Sequence, residues 1–334
     1  MDCKIAKTIK TGKIGILGLS SNSMHAEYIL NKLKHKGLTK KEARDLLCKI
    51  SFHHMAYQKF LEAQGLEVIH IDYHSKKEEI TQIMDNLDGI LLTGGGDSWP
   101  IDKININGFE YFKVADSTAQ PYLAIIKAIL DKAKSINDNG RFFSIFSVCL
   151  GFEAILLIET NYEFPIASVM NQNINCEITF KDKESRMKGV LTDKQRNDVE
   201  SKKLLFFYHI FGFTEKDFNK FEVLKENYDI TATVSVGEHR DCIASYEHKK
   251  YPFFGVQYHV EINMFDYSTP YKPNHSEEGY QYGLALGRLC VPKQAIDRED
   301  KVESDKYSYH CHIKENNIDL FVVSKDPQVK LLSD

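Results

Sequence analysis

Apolar and polar positions alternate along this chain with two different periods, and the switch between them outlines the elements. Short apolar runs with strand character fall at Lys13–Leu19, Leu66–Ile71, Asp88–Leu92 and Arg141–Val148. Between them lie stretches whose apolar residues recur at helical spacing: His54–Gln64, Lys76–Asn86, Ala119–Ile136 and Leu150–Ile158. Gly65 follows the first of these as a helix stop. Strand alternating with helix predicts an α/β fold, with a predominantly parallel central sheet covered by helices on both faces. Further along, Asn161–Asp182 reads as short strands and loops, Leu204–Phe213 is rich in aromatics, and Ile230–Val260 turns to β. Glu277–Leu289 reads as a helix. Lys293–Asp305 reads as a charged, exposed connection, and Tyr307–Val323 as a terminal hairpin around Asn316-Asn317.

Two stretches read as insertions. Lys32–Lys49 is basic and helical, with Thr39 and Glu42 spaced as a capping box. Ser98–Thr118 reads as a long loop after the third strand. No repeat and no domain boundary is visible, so the expectation is one domain over 1–334, with its core at about 13–289.

Composition narrows the classes. The 334 residues carry 43 basic and 47 acidic side chains, a formal charge of -4, which argues against a nucleic-acid surface or a polybasic anchor. The seven cysteines are odd in number and show no C-x-x-C spacing, so a disulfide scaffold or zinc ribbon is not expected. His310-Cys311-His312 places its two histidines on one side of a strand and the cysteine on the other, a poor metal-binding arrangement. Neither metal nor cofactor is expected. The first apolar run, Ile14–Leu19, is too short for a signal sequence or a membrane span, which gives a cytoplasmic expectation.

Candidate chemistry concentrates at three places. A β-run enters Cys149 and a helix leaves it, with Ser147 two residues before and Gly151 two after. A sharp strand-to-helix turn needs small neighbours. A helix N-terminus favours a thiolate and leaves the Leu150 N–H free to donate. A lone cysteine ending a strand is more commonly packing than nucleophile, so the other two features carry the weight. One is Thr93-Gly94-Gly95-Gly96-Asp97, a glycine turn after a buried strand, at the sheet edge where such folds place their sites. The other is Gly255-Val256-Gln257-Tyr258-His259-Val260-Glu261, in which a strand running to His259 would put Glu261 on the same side as the imidazole.

These stretches, in this order, resemble the class I glutamine amidotransferase-like hydrolases, and within them the γ-glutamyl hydrolases. Asp88-Gly89-Ile90-Leu91, Cys149-Leu150-Gly151-Phe152-Glu153, Gly255–Glu261 and the helix Tyr57–Gly65 carry the resemblance. It implies a Cys149–His259–Glu261 triad and an oxyanion hole from the N–H groups of Gly95 and Leu150. It also implies Gly94, Glu153 and His209 beside a small γ-glutamyl substrate. The chain departs from the family pattern at Ser147, where glycine is usual, and at Val260, where proline is usual. It departs again at Phe52-His53-His54, where a Tyr-Ile-Ala lead is usual. Alternatives left open are another γ-glutamyl substrate, including protein-attached glutamate chains, and a non-catalytic subunit of a larger assembly. A homodimer is also left open.

Overall fold

The computed structural model describes residues 12–20, 26–95, 101–106, 109–114, 121–236, 239–267, 272–292, 309–315 and 318–332. In chain order the strands are Lys13–Leu17 (β1), Ile50–His54 (β2), Glu67–Ile71 (β3), Gly89–Leu92 (β4), Ile101–Ile106 (β5), Phe109–Val114 (β6), Ser144–Val148 (β7) and Ile166–Cys176 (β8). They continue with Thr179–Phe180 (β9), Leu205–Gly212 (β10), Tyr228–Val236 (β11), His239–His248 (β12), Phe253–Val256 (β13), Tyr309–Glu315 (β14) and Ile318–Ser324 (β15).

The main sheet runs β3-β1-β4-β7-β13-β12-β11-β9. Its first five strands are mutually parallel, and the last three continue it antiparallel. The strand alternation sorts side chains into two cores. Ile90, Leu92, Ile145 and Phe253 join one cluster, while Leu91, Phe146, Val148 and Phe254 join the other. Burial on both faces explains why β4 and β7 read as continuous apolar runs. The helix Pro121–Asp138 covers one face with Leu123, Ile126, Ile129, Leu130 and Ala133; the helix Met55–Glu62 covers the other with Tyr57, Phe60 and Leu61. Among the described residues no helix is long and apolar enough to cross a membrane.

Several expectations change. The segment read as a loop at Ser98–Thr118 contains the antiparallel pair β5–β6, which extends a second sheet of order β10-β8-β6-β5. Its sequence holds a hairpin signal, Asn107-Gly108, between two β-prone runs. Lys32–Lys49 is not one helix: Ala26–His35 and Lys40–Leu47 are separate, and the Thr39–Glu42 capping box starts the second. Asn161–Asp182 holds an eleven-residue strand, β8, followed by the two-residue β9. The charged connection Lys293–Asp305 lies outside the described residues.

The terminal hairpin β14–β15 does form, and it has a partner that the sequence did not announce. β15 pairs antiparallel with β2, setting Val322 opposite Phe52 and Leu320 opposite His54. Side chains pin the join: Lys59 donates to Asp319 at 2.6 Å and Lys49 to Asp326 at 2.8 Å. Beneath it, the Nδ1 atoms of His53 and His70 share a hydrogen bond at 2.8 Å, and His70 Nε2 reaches Ser51 Oγ at 3.0 Å. Burial keeps both imidazoles below the usual histidine range.

His248, at the end of β12, is the third such case. Its Nδ1 accepts the backbone N–H groups of Lys250 and Tyr251 at 3.0 and 3.2 Å, among the rings of Tyr228, Tyr251 and Phe253. Burial, followed by nearby Lys and Arg charges, pushes it down from 6.5 to about 3. The unfolded chain therefore binds a proton that the folded one refuses, so stability falls as pH drops from about 6.5 toward 3. Thermal melts should show the midpoint declining over that window. His248→Asn keeps an acceptor without the titration, and should flatten the decline; an unchanged slope would contradict this reading.

Candidate active site

Cys149 sits where β7 gives way to the helix Leu150–Glu159, with φ 47° and ψ −104°. A non-glycine residue in that region costs on the order of 1–3 kcal/mol, so its surroundings must impose it. They do so through the backbone. The Cys149 N–H donates to the Val256 carbonyl at 2.9 Å, and its own carbonyl accepts the Glu153 N–H at 2.9 Å. Gly151 lets the new helix approach β4: a Cβ there would stand 2.7 Å from both Cβ and O of Leu92. Ser147 replaces the expected glycine without cost to the turn, because its hydroxyl donates to the Phe254 carbonyl at 3.0 Å.

The route to His259 differs from the expected extended strand. β13 ends at Val256, and His259 is the N-cap of a short helix, Val260–Phe265. The first turn of that helix, rather than a strand's two-residue repeat, brings Glu261 back to the imidazole, with Nδ1 and Oε1 2.7 Å apart. The short helix is itself tied to β10. The His259 N–H donates to the Phe206 carbonyl at 2.8 Å, and the Asn263 side chain bonds both Phe206 N–H and Leu204 O. With Nδ1 engaged by Glu261, Nε2 is the nitrogen left to serve Cys149, which lines the same cleft. Burial opposes the imidazolium, but the Glu261 and Cys149 charges overcome it and hold His259 at about 10. Burial pushes the Cys149 thiol up, and His259 pulls it back.

These groups open onto a small cleft of about 60 Å³. Gly94 and Gly95 line it beside Cys149, His259 and Glu261. Gly94 has no room for a side chain: a Cβ would lie 2.6 Å from His259 Cε1 and 3.1 Å from Cys149 Cβ. Leu150 starts the helix behind the thiol. Tyr57 is the residue sequence reasoning missed, since its apolar spacing on a helix marked it only as core. Its hydroxyl accepts the Gly94 N–H at 2.8 Å and lies 3.5 Å from His259 Nδ1, tying the glycine turn to the imidazole.

Two expected substrate contacts do not line the cleft. Glu153 is buried behind Cys149, where Gln257 Nε2 donates to it at 3.0 Å; burial, against that bond, raises it to about 8. His209 is buried in β10 and donates from Nδ1 to the Phe211 carbonyl, and burial lowers it to about 4. It is Tyr208 that lines the cleft, with its carbonyl 3.9 Å from Cys149 Sγ. Register explains the exchange: bulges interrupt β10 between Phe207 and His209 and again before Phe211. Among the described residues, no group of three or more His, Cys, Asp or Glu side chains is arranged to hold a metal ion.

An elbow thiol, a carboxylate-backed imidazole and a glycine turn at the carboxyl edge of a parallel sheet define a hydrolase-type site of the amidotransferase kind. The class-I glutamine amidotransferase family profile matches residues 47–273, and the chain belongs to that family. It is similar to the γ-glutamyl hydrolase of Rattus norvegicus, 24% identical over 294 residues that cover 87% of this chain and 86% of the rat chain. It is also similar to γ-glutamyl hydrolase 1 of Arabidopsis thaliana, 26% identical over 68% of this chain and 60% of that one. γ-Glutamyl hydrolase B of Dictyostelium discoideum is 24% identical over 66% of this chain and 59% of its own. The chain thus spans about three fifths of the plant and slime-mould relatives.

The raised His259 value depends on Glu261. In Glu261→Gln the burial that opposes the imidazolium remains while its main support is lost. Titration of the labelled His259 ring by NMR should then move from about 10 to below 6.5. A titration still near 10 would show that the carboxylate does not set it.

Proposed function

We propose that the protein hydrolyses γ-glutamyl amide bonds through an acyl-enzyme on Cys149. The observation that carries this reading is Cys149 at a strained elbow, sharing a cleft with the hydrogen-bonded His259–Glu261 pair. Similarity to γ-glutamyl hydrolases supplies the bond type.

The steps follow from the geometry. Cys149 gives its proton to His259 and attacks the γ-carbonyl carbon, forming the C–S bond. The resulting oxyanion lies between the backbone N–H groups of Leu150 and Gly95, where fixed donors in a water-poor site stabilise developing charge. His259 returns the proton to the departing amine as the C–N bond breaks, and Glu261 keeps the ring oriented through both transfers. Water, deprotonated by His259, then cleaves the thioester and restores the thiol. Tyr57 holds the glycine turn against the imidazole during this cycle.

The resemblance points to short γ-linked glutamate chains, folate poly-γ-glutamates among them. The cleft wall departs from the family pattern through Phe52 and His54, which favours a different γ-glutamyl substrate on the same chemistry. Purified protein should release glutamate from a γ-glutamyl dipeptide or oligomer, and Cys149→Ala should lower the rate by roughly 10³-fold or more. Activity that survives Cys149→Ala would refute the mechanism.

A further inference from the structure

The helix that carries Glu261 and begins at His259 is weak on its own terms. Val260–Phe265 is six residues long, and a helix of that length does not persist in water without outside support. Its N-cap is His259, whose side chain makes no capping bond and is committed through Nδ1 to Glu261. A polar cap is the ordinary support of a helix start, and here it is given up to the site. Val260 fills the first helical position, where the family pattern has a proline that would pre-set φ. The backbone bond that closes the first turn, from the Asn263 N–H to the His259 carbonyl, is long at 3.3 Å. The geometry of His259 and Glu261 therefore depends on what fastens this helix to the rest of the fold.

One side chain does most of the fastening. Asn263 is 2% exposed and does not line the cleft. Its Oδ1 accepts the Phe206 N–H at 3.0 Å, and its Nδ2 donates to the carbonyls of Leu204 and Asn274 at 2.9 Å each. Two carbonyls and one N–H as partners fix which way the amide faces. The Asn263 backbone carbonyl accepts Nδ1–H of His275 at 2.8 Å. The Asn274-His275 segment is in turn held to β8, where Asn175 Oδ1 accepts the Asn274 N–H at 2.9 Å. On the β10 side, the His259 N–H donates to the Phe206 carbonyl at 2.8 Å, so His259 and Asn263 grip the C=O and the N–H of one residue. Two residues along that strand, the Tyr208 carbonyl stands 3.9 Å from Cys149 Sγ. β10 is thus a common reference for the thiol and the imidazole, and Asn263 sets the short helix against it. We propose that Asn263 is a positioning residue: it meets no reacting atom, and holds His259 and Glu261 at the setting that the Cys149 thiol requires. This inference rests on the reading of Cys149 and His259 as the reacting pair.

Asn137 supplies a matched control. Its Oδ1 accepts the Phe143 N–H at 3.2 Å, and its Nδ2 donates to the carbonyls of Ala133 and Phe143 at 2.8 Å each. That clamp fastens the helix Pro121–Asp138 to the residue before β7, at the end of the strand remote from Cys149. Asn263→Ala should lower kcat on γ-glutamyl-p-nitroanilide by roughly 10²-fold, with a smaller change in KM, as expected for a misplaced base. NMR titration of the labelled His259 ring should fall from about 10 toward 6.5 as its alignment with Glu261 and Cys149 is lost. Asn263→Ser, whose hydroxyl replaces the amide only in part, should give intermediate values and serves if the Ala variant does not fold. Asn137→Ala should lower the thermal midpoint to a similar degree and leave both readouts unchanged. An unmoved His259 titration or a wild-type kcat in a folded Asn263 variant overturns the inference. So does Asn137→Ala reproducing both losses, which would mark them as general loosening. If wild type does not hydrolyse the anilide, the γ-glutamyl reading falls, and the His259 titration alone decides the role of Asn263.

Discussion

The backbone of Cys149 is the constraint on which the site depends. Its φ of 47° is unfavourable locally, and the parallel sheet holds it there. Leu92 and Gly255 both stand level with Ser147, and Val256 stands level with Val148. The three strands β4, β7 and β13 therefore end side by side. The glycine turn, the thiol and the loop to His259 leave the sheet at the same edge, and the Val256 carbonyl fixes the Cys149 N–H. The geometry of the Cys149 elbow is a consequence of strand register. The close fit around Gly94 and Gly151 shows how little tolerance that register leaves.

A different part of the fold builds the rest of the cleft. Phe52 and His54 belong to β2, which is held by the C-terminal strand β15 from nearly the opposite end of the chain. Asp266 ends the short helix that His259 begins. The thiol and the cleft wall thus rest on separate supports. The sheet edge positions the thiol, and a peripheral three-stranded sheet backs one wall of the cleft. Substitutions can alter that wall without disturbing the elbow.

Much of this was legible in the residues. Buried parallel strands produce unbroken apolar runs, so β1, β4 and β7 stood out, and a strand running into Cys149 with small residues on both sides marked the elbow. What was not legible depended on distant partners or on local backbone detail. Nothing near Phe52 announces pairing with Val322. The hairpin β5–β6 was passed over because its length suggested a loop, although Asn107-Gly108 signals a turn. His259 and Glu261 were paired for a strand's reason, yet a helix start joins them, since no sequence rule fixes where β13 stops. Tyr57 looked like core because it is core, apart from one oxygen. His209 lies outside the cleft lining, in a strand interrupted by bulges, and it is the Tyr208 carbonyl that comes near the thiol.

The central claim is a covalent γ-glutamyl intermediate on one cysteine out of seven. Rapid acid quenching of wild-type protein with excess γ-glutamyl-p-nitroanilide, followed by intact-mass and peptide mass spectrometry, tests it most directly. The account predicts a gain of one glutamyl residue, located on the peptide that carries Cys149. Hydrolysis with no adduct at any quench time, or with the adduct on another cysteine, would contradict it.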